Sequence, residues 1–60
     1  MNVDLAAARV RLHLARARNG RSNRRAHHLH RAGEILGRLE RSEVPCDDLL
    51  LLYLVEEGRG

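Results

Sequence analysis

Apolar residues recur every three or four positions from Val3 to Leu39, then crowd into one unbroken run from Leu49 to Val55. Val3, Ala7, Val10, Leu14 and Ala17 form one stripe and Leu5, Ala8, Leu12 and Ala15 a second. At about 100° per residue the two stripes lie on opposite sides of a helix over residues 3–18. Asp4, Arg11 and Arg18 line one seam between them; Arg9, His13 and Arg16 line the other. One stripe packs on the next helix. The second either faces water, as Ala-rich helices allow, or needs a surface beyond the monomer. Asn2 suits the N-cap of this helix and Asp4 its positive end. Asn19-Gly20 is a stop signal, with Gly20 suited to a left-handed C′ position.

A second helix follows over residues 23–41, capped by Ser22 or Asn23. Its core face is Ala26, Leu29, Ala32, Leu36 and Leu39, with Ile35 on the shoulder. Its wet face carries His27, His30, Arg31, Glu34, Arg38 and Arg41, and Glu34–Arg38 is a favourable i,i+4 pair. Gly33 and Gly37 weaken the helix but permit close backbone approach near a packing face. The short link after Arg18 makes the two helices antiparallel neighbours. Val44-Pro45 breaks the pattern, because a residue before proline avoids the helical region. Asp47 and Asp48 start a third helix over residues 47–57, Glu56 and Glu57 sit at its unfavourable end, and Gly58 closes it. A short apolar run also fits a strand. Leucine content, the acids at its start and the lack of any other strand candidate favour helix. The reading is all-α: one small domain, 1–60, made of an antiparallel hairpin plus a short third helix, completed by oligomerisation or a partner.

Size sharpens that last point. A domain of 60 residues buries only about 60% of its unfolded surface and is marginal alone. Cys46 is the only cysteine, so no internal disulfide is available, and a lone thiol fits a reducing cytoplasm. Tyr53 is the only aromatic residue besides the histidines, so the core is aliphatic. A helix apolar all round, as Leu49–Val55 would be, has to be covered all round. The run is too short for a bilayer, and no signal peptide is evident at the N-terminus. The expected setting is cytoplasmic, with no membrane partner.

Charge divides unevenly. Residues 1–33 carry a formal +7 and residues 34–60 a formal −4. All 11 basic residues are Arg. In so Ala-, Gly- and Leu-rich a chain that follows from a GC-rich coding sequence, so the argument rests on charge. A basic half invites an anionic partner, unless the two halves neutralise each other within the hairpin or between subunits. Arg16, Arg18, Arg21, Arg24 and Arg25 cluster across the first turn, where five guanidinium groups would grip phosphates or steer an acidic protein. No aromatic residues for base stacking lie nearby, and no recognition helix stands out. His27 and His30 share a helix face, but two nitrogens do not close a metal site, and solvated histidines are the simpler reading. Cys46 beside a helix start invites a lowered thiol pKa. No phosphate loop, nucleophile elbow or carboxylate dyad appears. No enzyme, cofactor, metal or small-molecule substrate is expected.

The middle of the chain also resembles the flagellin export chaperone family. The resemblance rests on Gly20, His28, Leu29, Arg31, Ala32, Glu34, Ile35, Leu36, Leu39 and Ser42, in register without gaps, and on Leu52-Tyr53 in the next helix. It implies an antiparallel helical bundle that wraps an amphipathic helix of a partner. Arg25 stands where the family places an apolar residue, and Glu43 where it places a leucine. From the residues and the resemblance together, the expected function is a non-enzymatic, protein-binding adaptor, regulator or chaperone-like module. It would dock a partner helix or self-associate, by helix-in-groove packing. Leu49, Leu50, Leu52, Tyr53 and Leu54, with Leu12 and Leu14, would supply the apolar contact. The alternative is a small nucleic-acid-binding regulator that uses the arginine tip, with the leucine helix as its dimerisation element.

Overall fold

In a computed structural model, which describes residues 2–59 (Ser22 by its backbone alone), every regular element is an α-helix. Helix α1, Val3–Asn19, starts where Asn2 Oδ1 accepts the Leu5 N–H at 3.0 Å. Asp4 lies in its first turn and Arg16 and Arg18 in its last, complementing the helix dipole. Its inward residues are Ala6, Val10, Leu14 and Ala17. Val3 is exposed and Ala7 half-buried, so the core face is rotated slightly from the first stripe. The second stripe, Leu5, Ala8, Leu12 and Ala15, faces water throughout.

Gly20 ends α1 with φ −91° and ψ 160°, an extended conformation rather than the expected left-handed one. The glycine is needed for space instead. A Cβ there would stand 2.8 Å from the carbonyl oxygen of Arg16, a backbone atom that cannot easily give way. Helix α2, Ser22–Arg41, begins one residue earlier than expected, with Arg21 at the N-cap making no side-chain cap. Neither Ser22 nor Asn23 therefore holds that position. No acidic residue occupies the first turn.

The end of α2 shows why Glu43 differs from its neighbours. Val44 N–H reaches the Leu39 carbonyl at 3.0 Å and Glu43 N–H reaches that of Glu40 at 3.0 Å. This is the double closure of a Schellman motif, with Glu43 at the left-handed C′ position, φ 57°. Val44 follows it into the core. A residue with a Cβ is strained there, so Glu43→Gly is expected to raise stability by about 0.5–1 kcal/mol, less than the full relief because glycine is freer when unfolded. Urea denaturation followed by circular dichroism checks it; an unchanged or lower midpoint would contradict the assigned turn.

Helix α3, Asp47–Gly58, packs against both arms of the hairpin. The buried core joins Val10 and Leu14 of α1, Ala32, Leu36 and Leu39 of α2, and Cys46 and Leu49 at the start of α3. Leu29, Ile35, Leu50 and Tyr53 close its margins. Ala26, placed in the core by its spacing, is exposed, because α2 turns Arg25 rather than Ala26 toward the end of α3. The Cα envelope measures 31 × 18 × 14 Å. With helix axes about 8–10 Å apart, so thin a body encloses none of its helices, and each keeps an outer face. No helix among the described residues is long and apolar enough to cross a membrane.

Candidate docking surface and the groups behind it

Which side of α3 faces the core is decided by three residues spaced four and three apart: Leu49, Tyr53 and Glu56. Leu49 enters the core at 5% exposure. The Tyr53 ring lies over Gly33, where a Cβ would come within 3.0 Å of its hydroxyl. Burial, then the charge of Glu57 and a hydrogen bond with it, hold that phenol above its ordinary pKa. Glu56 is the surprise: a carboxylate only 6% exposed on the inner face.

Arg25 explains it. Its Nη1 donates to Glu56 Oε1 at 2.6 Å and its Nη2 to the Glu56 carbonyl oxygen. Nη1 also reaches the Ala17 carbonyl at 3.4 Å, and Arg59 Nε approaches Glu56 Oε2 at 3.2 Å. The guanidinium thus ties the ends of α1 and α3 to the start of α2. Arg25 is therefore not free to meet an anionic partner, as its place in the cluster had suggested. It is neutralised by an acid of its own chain. The other four, Arg16, Arg18, Arg21 and Arg24, are exposed, and none has a carboxylate within ion-pair distance among the described residues. Arg21 and Arg24 border an open depression with Asn19, Gly20 and Asn23.

With Glu56 turned inward, the opposite side of α3 must carry apolar groups. Leu51 is 63%, Leu54 55%, Val55 53% and Leu52 50% exposed. Leu12 joins them at the surface on α1. Leu14 and Leu49, expected at an interface, are buried in the chain's own core and present nothing to a partner. Leu50 and Tyr53 are half-buried against that core. Leu51 and Val55 were not singled out from the sequence. No local signal marks them, because a run of seven apolar residues has no polar member to show which side faces out.

His27 and His30 are exposed, as their wet-face spacing predicts, whereas His13 and His28 are half-buried. His13 of α1 meets His28 of α2, Nδ1 to Nδ1 at 3.0 Å, and His27 stacks edge-on to His28 at 5.2 Å. A hydrogen bond between two ring nitrogens needs one donor and one lone pair, so the pair cannot be doubly protonated. Both pKa values lie below the ordinary 6.5. Desolvation is the main cause; for His13 the charges of His28, Arg31, His27 and Arg16 add to it, and for His28 those of His27, Arg16 and Arg24. The unfolded chain therefore takes up these protons first as pH falls. The contribution is fully present above 6.5 and is lost as pH drops through the folded values. The denaturation midpoint should fall between about pH 8 and about pH 5, and His13→Gln should flatten that slope. Equal slopes in the two proteins would remove the pair from the account.

Cys46 is a free, buried thiol. Burial, with Glu40 and Asp47 nearby, raises its pKa, contrary to the lowering expected at a helix start. Among the described residues no three His, Cys, Asp or Glu side chains converge as metal ligands. Glu34 turns to Arg31 at 3.5 Å and His30 at 3.4 Å, so the expected Glu34–Arg38 pair does not form. Comparison with family models, with curated proteins and with solved structures finds no match to this chain.

Proposed function

We propose that this chain is a small, non-enzymatic protein-docking module, an adaptor or regulator that works by laying the outer face of α3 against an apolar helical surface. One observation carries the reading: four large aliphatic side chains on a 12-residue helix are each half exposed or more. Contiguous apolar surface of this kind marks an interaction site. The resemblance to flagellin export chaperones supports the same mode, a helical module that embraces a partner helix. A free thiol suits the reducing cytoplasm as its setting.

Gel filtration and light scattering of tagged protein, pure and in cell extract, test the reading. The natural chain should run in a species larger than its own 6.8 kDa. Leu51→Asp should run as a monomer with the same helical circular dichroism. A natural chain that is monomeric both pure and in extract overturns the proposal.

The unpaired arginines favour a second reading, in which the tip of the hairpin binds the nucleic-acid backbone. Duplex DNA or RNA should then bind with steep salt dependence, and Arg21→Ala and Arg24→Ala should each reduce the log–log salt slope by about one. Weak binding with a shallow slope excludes it.

A further inference from the structure

We propose that the surface receiving α3 is the open face of the hairpin in a second copy of this chain, so that copies join head to tail. The inference rests on the docking role of α3 and names its partner. Within one copy α3 covers a single face of the hairpin. Tyr53 sits over Gly33 of α2, and the Cys46–Leu49 segment lies beside Ala7 and Arg11 of α1. Gly33 and Ile35 are about 200° apart around α2, so Ile35 looks toward the other face. There, two clefts of about 180 and 360 Å³ run between α1 and α2. Leu5, Leu12 and Ile35 supply their apolar lining, and Arg9, Arg31 and Arg38 their rim. Glu34, the one acid on that rim, is engaged by Arg31 and His30.

Charge selects this occupant. The outer face of α3 begins with the exposed acids Asp47 and Asp48; at its other end Glu57 lies on the Tyr53 side and the exposed Arg59 pairs with Glu56. Two α3 helices laid together in parallel would bring Asp47 and Asp48 against their own copies. The basic rim of the hairpin face meets the same acids with arginine. Apolar surface then covers apolar surface, and the excess positive charge of the first half of one chain meets the excess negative charge of the second half of the next. Because the two surfaces lie on opposite sides of one copy, the contact is heterologous. It continues until a ring closes or a filament grows.

Sedimentation of the full chain from about 1 to about 500 µM tests this. The natural chain should gain mass with concentration beyond a dimer, and less so in high salt. Leu51→Asp removes the inserting face and Leu12→Asp the receiving one. Each alone should weaken self-association on the order of a hundredfold, because a carboxylate is set in an apolar contact. Mixed together they should form a 1:1 complex, since each keeps the surface the other has lost. Circular dichroism confirms that both variants remain helical. A discrete dimer that survives Leu12→Asp and is lost with Leu51→Asp overturns the proposal in favour of α3 pairing with α3. A pure natural chain monomeric at every concentration also overturns it. The docking role itself falls only if the chain is monomeric in cell extract as well.

Discussion

Glu56→Ala is expected to lower stability by about 2–3 kcal/mol, because it strands the Arg25 guanidinium between three helix ends without a counter-charge. Fully buried pairs lose about 3–5 kcal/mol when one partner is removed. The Arg25 side chain keeps 21% exposure and can turn partly to water, which places the effect lower. The sign should reverse when both partners are replaced. Arg25→Met with Glu56→Leu leaves no unpaired charge and fills the same space, so the double variant should be as stable as the natural chain or more so. Urea denaturation of the single and double variants measures both effects. A loss under about 0.5 kcal/mol for Glu56→Ala would mean the pair behaves like a surface ion pair.

Leu39→Ala should be still more damaging. Leu39 is 1% exposed, and its carbonyl accepts the Val44 N–H that closes α2. Truncating a buried leucine costs about 2–5 kcal/mol. A chain of 60 residues has a total stability of about 3–9 kcal/mol. The variant should therefore lose much of its helical signal, as read by circular dichroism. A melting curve unchanged from the natural chain would place Leu39 outside the core.

The helices were legible because their signals are local. Asn2, Asn19-Gly20 and Val44-Pro45 punctuate the chain, and the observed bounds fall within a residue of those read from them. The inner residues Val10, Leu14, Leu36 and Leu39 follow from helical spacing alone. The orientation of α3 was not legible in the same way. A run of seven apolar residues has no polar member to mark an outside. The residue that fixes it is a glutamate, which ordinarily marks the wet side. Glu56 is turned inward only by Arg25, 31 positions earlier in the chain. The meeting of His13 with His28 was hidden for the same reason, since its partners sit on different helices 15 positions apart. Gly20 shows a further limit: its role as a stop was readable, but the crowding by the Arg16 carbonyl that demands a glycine was not.

The placement of Tyr53 over Gly33 has a practical consequence. The chain has one tyrosine, no tryptophan and no phenylalanine. Its intrinsic ultraviolet fluorescence therefore comes from a single ring at the seam between the last helix and the hairpin. Lifting that helix away would change the emission while leaving the remaining helices to dominate the peptide-bond signal. The molecule thus carries an unlabelled optical gauge of whether its third helix is seated.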